Sequence, residues 1–321
     1  MKMKKSPFKL IHRLIIIIGS VIGFLFQSLY ITPLVLSITI YDVIFKDHIK
    51  VLDADRYKQD LKEESISSTK YEIISNRNQK LIGYNYYKEE VNPKGLVIIS
   101  HGFGGGHLSY SDMISYFVNK NYYCFGYDGT GTGESELNTT YGIPQFVIDL
   151  DYVLNFIESK AELNNLPIYL VGHSCGGYAV TAILNLHTDI KGVVSLAGFN
   201  ESIDLVVSSG TEIVGPLGSY SKPFLKSHEK RLFGDYSKLK AMDGFEKTTT
   251  KVFIVHSQDD RTVEIKYGYD IYYEKYKDNN RFYFKKFQNA GHMVHQIKNE
   301  DNKYVLNISL LDEVSTFFNL D

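Results

Sequence analysis

The sequence predicts an α/β protein in which a mostly parallel sheet is covered by helices on both faces, preceded by a transmembrane helix. Short apolar runs alternate with segments whose apolar residues recur at helical spacing, and a charge-free apolar stretch lies near the N-terminus. Strands that are apolar throughout are typical of parallel sheets packed between helices. The 321 residues are enough for one large domain plus an appendage.

Composition and charge exclude several classes of function. The chain is 44 % hydrophobic with a formal net charge of −2, so no basic field favours a nucleic-acid partner. No Cys/His cluster has metal-ligand spacing, and we expect neither a metal nor a cofactor. Cys124 and Cys175 both lie inside apolar runs, which indicates buried small residues rather than a disulfide framework.

The N-terminus carries a predicted membrane anchor over residues 1–45. Residues 1–13 contain five basic and no acidic side chains, and the stretch from Leu14 to Leu36 carries no charge. About 20 apolar residues cross the roughly 30 Å hydrocarbon core of a bilayer as a helix. A cleaved signal peptide and a buried core helix are the alternatives, but no A-x-A cleavage pattern is present near Tyr30 to Ser37. The basic flank favours a single-pass anchor in the cell membrane with the remainder extracytoplasmic.

Residues 46–69 are charged and are predicted to be a connector, partly helical, in front of a domain over 70–321. That domain is predicted to start with a hairpin, because two alternating segments flank the turn-prone sequence SNRNQ. An excursion at about 200–250, containing two helical segments, is predicted to form a lid above the sheet. The further predicted strands are 95–100, 122–128, 167–173, 192–198, 251–257 and, as the last one, 281–287. The further predicted helices are 113–120, 144–160, 178–187 and 308–318.

The candidate nucleophile is Ser174, in the G-x-S-x-G sequence that runs from Gly172 to Gly176. The motif follows an apolar strand and opens a helix, which is the context that it requires. Small flanking residues leave room for the sharp turn that exposes the serine. The N–H of Cys175, at the start of the helix, is then a candidate donor to an oxyanion.

A serine hydroxyl needs a base, and the base needs an acid to orient it. His292 follows the last predicted strand in the sequence NAGH and is favoured over His295, three residues later. Asp259 and Asp260 both follow the strand KVFIVHS, and the chemistry alone leaves open which of them is the acid. The order Ser, Asp, His is the one expected for a G-x-S-x-G hydrolase.

A second oxyanion donor is expected from the glycine-rich loop HGFGGG after the strand at 95–100, and we assign it to the N–H of Phe103. Another glycine-rich loop, DGTGTGES, is not a dinucleotide-binding fingerprint, because its third glycine position is occupied by Glu134.

Together, HGFGGG, YDGTGTGES, GHSCGG, HSQDD and NAGH resemble the α/β-hydrolase family, in particular its lidded esterase, monoacylglycerol-lipase-like and serine-aminopeptidase-like branch. The resemblance runs from about Lys70 to the C-terminus. It implies that Asp260 is the acid and that the loop from Asp128 to Ser135 is structural. Ser257 stands where the family often has glycine.

The predicted activity is cleavage of a carboxylic ester, acyl or lipid-like, through an acyl-enzyme formed on Ser174. The apolar lid residues Phe224, Leu225, Leu232 and Phe233 either contact such a substrate or pack the lid onto the domain. An aminopeptidase is the alternative enzyme, with Glu201, Asp204 and Glu212 as candidates to hold a substrate ammonium group. A non-catalytic, membrane-tethered binding protein is the alternative of another class.

Overall fold

A computed structural model describes residues 7–215 and 217–320. Its main sheet has eight strands in the order β1-β2-β4-β3-β5-β6-β7-β8. β2 is antiparallel to both of its neighbours, and β3 to β8 are parallel to one another. The strands are β1 Ser67–Ile74, β2 Lys80–Tyr87, β3 Leu96–Ser100, β4 Tyr123–Asp128, β5 Ile168–His173, β6 Gly192–Leu196, β7 Lys251–Ser257 and β8 Phe282–Phe287.

The helices follow the strands in an alternating order, apart from three that precede the sheet and four between β6 and β7. They are α1 Pro7–Phe26, α2 Thr32–Phe45, α3 Ala54–Glu63, α4 Ser111–Asn119, α5 Pro144–Glu158, α6 Cys175–Ala182, α7 Ser202–Val214, α8 Leu217–Tyr220, α9 Lys222–Phe233, α10 Ala241–Phe245, α11 Tyr269–Tyr276 and α12 Ile308–Phe318. A five-residue π-helical turn, Gln27–Ile31, joins α1 to α2.

Two apolar cores lie on the two faces of the sheet, which confirms the predicted fold class. The larger one includes side chains of α5, α6, α10 and α11. The smaller one lies under α4 and α12. Layers of this kind place the carboxyl ends of the parallel strands at one edge, where loops carry the candidate site residues.

Three details of the secondary structure differ from the sequence prediction. The helix predicted for 178–187 ends at Ala182 and continues as a 3₁₀ turn, Ile183–Asn185. The strand at 281–287 is not the last one, because β9 (Gln296–Lys298) and β10 (Tyr304–Leu306) form a small antiparallel pair after it. Helix α11 was not predicted, because its tyrosine-rich sequence shows little separation of polar and apolar faces.

The N-terminal helix is longer than a membrane requires. Residues Ile11–Phe45 form a candidate span of 35 residues, which at 1.5 Å per residue is about 52 Å long. The hydrocarbon core of a bilayer is about 30 Å thick. The apolar side chains from Ile11 to Ile31 are exposed, whereas Tyr41 and Phe45 are 1 % and 5 % exposed. The C-terminal part of the helix is therefore integrated into the domain.

The contacts of α2 with the domain are polar as well as apolar. The Tyr41 hydroxyl donates to Oε1 of Glu229 on α9 at 3.0 Å, and the Ser202 hydroxyl donates to the same oxygen at 2.6 Å. Directly after Tyr41, Asp42 lies 2.8 Å from Nε2 of His228. The domain boundary at residue 45 stays a prediction, but Tyr41 and Phe45 are members of the larger core.

The segment after α2 is also bound to the domain. The N–H of Ile49 donates to the Gly131 carbonyl, and the Ile49 carbonyl accepts from the Gly133 N–H, both at 2.8 Å. Leu61 and Ile66 are buried in the smaller core. These contacts tie residues 46–66 to the glycine-rich loop after β4 and to the smaller core.

We expect Glu229→Gln to remove a pH dependence of stability. Burial raises the pKa of Glu229 to about 7, whereas an exposed glutamate has a pKa of about 4.3. The protonated form is favoured in the folded state, so the contribution of Glu229 is full below about pH 4.3 and is lost as the pH rises to about 7. The loss is up to about 4 kcal/mol, since one pKa unit corresponds to about 1.4 kcal/mol.

The measurement is the midpoint of thermal unfolding of the detergent-solubilised protein at pH 5 and pH 8. Glutamine keeps an acceptor for Tyr41 and Ser202 and cannot ionise, so the variant should exceed the wild type in stability at pH 8 but not at pH 5. Parallel pH profiles of the two proteins would contradict a protonated Glu229.

Candidate functional site

Ser174 lies on a sharp turn between β5 and α6. Its backbone has φ 57° and ψ −119°, a left-handed conformation that non-glycine residues rarely adopt. The turn is crowded: a Cβ on Gly172 would lie 2.1 Å from the Gly176 carbonyl oxygen, and one on Gly176 would lie 2.0 Å from that of Ser100. Both glycines of the motif are therefore required by close backbone contacts.

The two predicted oxyanion donors lie in neighbouring segments. Cys175 is the first residue of α6, so its N–H has no partner within the helix. Phe103 follows Gly102, whose Cα approaches the turn so closely that a Cβ there would be 3.2 Å from Cβ of Ser174. Among the described loops and turns, no backbone carbonyl accepts from the N–H of Phe103 or Cys175, and both N–H groups interact with the Cys175 thiol. Burial raises the pKa of the Cys175 thiol to about 12, so it stays protonated at neutral pH.

Asp260 and His292 are brought together from the loops after β7 and β8. Nδ1 of His292 lies 2.8 Å from Oδ2 of Asp260 and must carry the proton, since a carboxylate only accepts. Burial alone would raise the pKa of Asp260, but hydrogen bonds from His256 and His292 outweigh it and lower that pKa well below its usual value. Nε2 of His292 is thereby left as an acceptor.

Nε2 of His292 has no partner among the described hydrogen bonds, and none of these bonds joins it to the Ser174 hydroxyl. Catalytic hydrogen bonds of this kind are often long before substrate binds. The loops of Ser174 and His292 are nonetheless in contact, because the rings of His173 and His292 have centroids 4.6 Å apart.

Asp259 has a different set of partners from its neighbour. Its Oδ1 accepts from the Ser257 hydroxyl at 2.6 Å and from the N–H of Gly291 at 2.9 Å. The Ser257 hydroxyl in turn accepts from the N–H of Ala290 at 2.9 Å. Asp259 and Ser257 therefore join the loop after β7 to the loop that carries His292, and serine in place of glycine at 257 adds a contact.

His173 connects the loop that carries His292 (the histidine loop) to the loop after β3, with the sequence HGFGGG (the oxyanion loop). Its Nε2 donates to the carbonyl of His292 at 3.0 Å, so its Nδ1 accepts from the Tyr110 hydroxyl, also at 3.0 Å. That hydroxyl accepts from the N–H of Gly102 at 3.1 Å. Burial and the nearby rings of His295 and His292 lower the pKa of His173 well below its usual value, so the ring stays neutral and its tautomer is fixed.

His101 holds the other side of the oxyanion loop. Its Nε2 accepts from the N–H of Gly129 at 2.9 Å, so its Nδ1 donates to the carbonyl of Gly102 at 2.9 Å. Gly102, which precedes the predicted donor Phe103, is therefore fixed through both its N–H and its carbonyl. Tyr110 and His101 were not predicted as site residues, because their roles depend on contacts that no motif describes.

His295, the competing candidate for the base, has no contact with Asp260. It is 3 % exposed, and neither ring nitrogen has a hydrogen-bond partner among the described residues. Burial lowers its pKa to about 4. Its ring packs against Tyr110 and His173 at centroid distances of 5.4 and 4.7 Å.

The loop after β4 is organised by Asp128. Its Oδ1 accepts from the N–H and Nδ1 of His107, and its Oδ2 accepts from the N–H of Glu134. Burial alone would raise the pKa of Asp128, but these contacts lower it to about 2. The carboxylate therefore joins its own loop to the segment that precedes α4.

The insertion, residues 197–250, lies between β6 and β7 and contains the candidate ammonium ligands. Glu201 lies 3.3 Å from the Lys240 amine, and Asp204 lies 2.6 Å from that of Lys222. The side chain of Glu212 falls outside the described residues. Of the apolar residues predicted to be in the lid, Leu225 and Phe233 are each 5 % exposed, and Leu232 packs against the larger core.

Comparison with known proteins decides the family. A family model described as "Serine aminopeptidase, S33" matches residues 91–242. The putative esterase/lipase 2 of Mycoplasma genitalium is 31 % identical over 207 residues, which cover 62 % of this chain and 71 % of that protein. The chain belongs to the α/β-hydrolase family. This membership agrees with the resemblance carried by the five motifs.

Other relatives of this α/β hydrolase match over shorter spans. Human monoglyceride lipase is 28 % identical over 105 residues, 32 % of this chain, and the chain spans about a third of that lipase's length. Among solved structures, an esterase from Pyrococcus furiosus superposes with a TM-score of 0.62 at 17 % identity, covering 85 % of this chain and 97 % of the esterase. At that identity the likeness concerns the fold.

Replacing the two aspartates one at a time separates their roles in the hydrolase. We expect Asp260→Asn to lower kcat by roughly 10³- to 10⁴-fold, because it removes the carboxylate that orients His292. Asp259→Asn leaves the bond between Asp260 and His292 intact and should cost far less. The measurement is hydrolysis of a short-chain 4-nitrophenyl ester, with thermal unfolding to confirm that both variants are folded. Equal losses in the two variants would contradict the assignment.

Tyr110→Phe should disturb the oxyanion loop without removing any reacting group. The variant loses the hydroxyl that joins Gly102 to His173, and we expect kcat to fall between tenfold and roughly a hundredfold with little change in KM, as for small displacements of catalytic groups. Tyr116→Phe is the matched control, because its hydroxyl bonds to Asp312 on the surface. If both variants keep wild-type kcat, Tyr110 has no positioning role.

Proposed function

We propose that this chain is a membrane-anchored serine hydrolase that cleaves a carboxylic ester, acyl or lipid-like, through an acyl-enzyme on Ser174. The observation that carries the proposal is the backbone of Ser174, which is held in a left-handed conformation at the start of α6. Strain of this kind persists only where the surroundings enforce it and is concentrated at functional sites.

The proposed reaction has two steps. His292, oriented by Asp260, takes the proton of the Ser174 hydroxyl as its oxygen attacks the ester carbonyl. The negative charge of the tetrahedral intermediate is stabilised by the N–H groups of Phe103 and Cys175. His292 then protonates the leaving alcohol, and water attacks the acyl-enzyme by the same route to release the acid.

The membrane anchor is proposed from the exposed apolar surface of α1 and its basic flank. The charge-free stretch from Leu14 to Leu36 has 23 residues and gives a helix about 34 Å long, which is enough to cross the hydrocarbon core. The basic residues before the apolar stretch favour a cytoplasmic N-terminus. The hydrolase domain would then lie on the outer side, next to the membrane surface.

The aminopeptidase alternative is less well supported. The family model is described as a serine aminopeptidase, but Glu201 and Asp204 are each paired with a lysine. Neither carboxylate is free for a substrate ammonium group, so we favour esters over aminoacyl amides. A non-catalytic binding protein would not need a strained serine or an oriented histidine.

Labelling with a fluorophosphonate probe tests the proposal directly. We expect the wild-type protein to be labelled and Ser174→Ala to remain unlabelled, because the probe reacts with an activated serine. Cys175→Ala should still be labelled, since the proposed role of residue 175 is that of its backbone N–H. The labelled protein should remain in washed membranes at its full mass of 36.7 kDa.

Three results would count against the proposal. An unlabelled but folded wild-type protein would exclude an activated serine. Preferred hydrolysis of aminoacyl amides over acyl esters would favour the aminopeptidase. A shorter, soluble labelled species would indicate a cleaved signal sequence in place of an anchor.

A further inference from the structure

A cavity of about 230 Å³ lies between the N-terminal helix and the insertion. One wall is formed by α2, including Leu36, Ile40 and Ile44. The opposite wall is formed by α7 to α9, including Val206 and Leu225. The lining is largely apolar, and the helix that forms one wall is the candidate membrane span.

The cavity opens beside exposed apolar side chains of the N-terminal helix. Leu36 and Ile44 line it and are still 49 % and 40 % exposed. If the charge-free stretch of residues 14–36 crosses the hydrocarbon core, the first turns of α2 lie at the outer boundary of that core. An apolar chain can therefore pass from the bilayer into the cavity without crossing water.

One contact joins the two walls of the cavity to each other, and a second joins α2 to the candidate site. The Tyr220 hydroxyl on α8 donates to the carbonyl of Leu29 in the π turn at 2.5 Å. At the other end of α2, the ring of Phe45 packs against the ring of Phe103 with centroids 5.4 Å apart. Phe103 is the proposed oxyanion donor, so the end of the cavity near Ile44 lies beside the loop that would receive the ester carbonyl.

We infer that this cavity binds the acyl chain of a single-chain lipid ester that enters laterally from the membrane. The inference rests on the proposed function and identifies its substrate class. The acyl chain of the lipid lies between α2 and the insertion, and the ester end of the lipid extends past Phe45 to Ser174. The span is thus one wall of the substrate site. Apolar lining and access from the bilayer favour a hydrocarbon occupant over a polar one.

Gly210 on α7 offers a way to fill the cavity. It belongs to the lining, and a Cβ there would meet only Cα of Gly218, at 3.9 Å. Gly210→Leu therefore has room for its side chain and should occupy the space of several methylene groups. Ser208→Leu is the matched control, because it adds a side chain to the same helix at a position outside this lining.

The experiment compares hydrolysis of a palmitoyl and a butyryl monoacylglycerol by full-length protein in phosphatidylcholine vesicles. We expect Gly210→Leu to lower the palmitoyl-to-butyryl rate ratio at least tenfold, since burial of two methylene groups corresponds to roughly that factor. Ser208→Leu should keep the wild-type ratio. An unchanged ratio in Gly210→Leu would overturn the inference, as would an equal loss with both esters.

A binding measurement separates this inference from the proposed function. Ser174→Ala protein in the same vesicles is irradiated with a photoactivatable palmitoyl monoacylglycerol. Cross-links to residues 28–44 and 206–225 that disappear when Gly210→Leu is added support the cavity even if the wild type proves not to be a serine hydrolase. Cross-links elsewhere, or cross-links that Gly210→Leu leaves unchanged, would overturn it.

Discussion

The contact on which the site depends is the close approach of backbone segments beneath Ser174. Gly176 touches the carbonyl of Ser100 at the end of β3, and Gly172 at the end of β5 touches Gly176. These contacts lock two strands and α6 together and impose the left-handed backbone of Ser174. Because the oxyanion loop continues directly from Ser100, the same contacts set the positions of the serine and of both proposed N–H donors.

The remaining parts of the site are attached to this unit through hydrogen bonds. His173, next to the serine, binds the carbonyl of His292 and the hydroxyl of Tyr110. Asp259 and Ser257 join the loop after β7, which carries Asp260, to the histidine loop. Since a buried polar group without a partner costs about 1–3 kcal/mol, the contacts of the buried side chains of His173 and Tyr110 are expensive to remove. The arrangement is therefore rigid before any substrate arrives.

Much of this could be predicted from local sequence patterns. Apolar runs followed by glycine-rich turns predicted the sheet and placed Ser174, Asp260 and His292 at one edge of it. The choice between Asp259 and Asp260 came from a family resemblance, because adjacent carboxylates have the same local pattern. In the structure they differ in burial and in partners: Asp260 is buried and contacts His292, whereas Asp259 is exposed and contacts Gly291.

What could not be predicted depends on contacts between distant parts of the chain. Tyr110 and His173 are 63 positions apart, and Tyr41 and Glu229 are 188 positions apart. Glu229 lies in a helix rich in charged residues, and only the packing of α2 against α9 shows that its carboxyl group is buried. The apolar pattern of residues 14–36 likewise predicted a span but not that Tyr41 and Phe45 belong to the core.

The unbroken helical path from α1 to α2 has a consequence for how such an enzyme works at a surface. A flexible tether would let the catalytic domain sample the solution, but a helix that ends inside the core fixes its height and tilt above the lipid headgroups. In the proposed membrane-anchored enzyme, encounter with a lipid ester would be a two-dimensional search within one leaflet. Turnover would then be governed by the mole fraction of ester among the lipids, and diluting that ester with inert lipid would slow the enzyme even at constant bulk concentration.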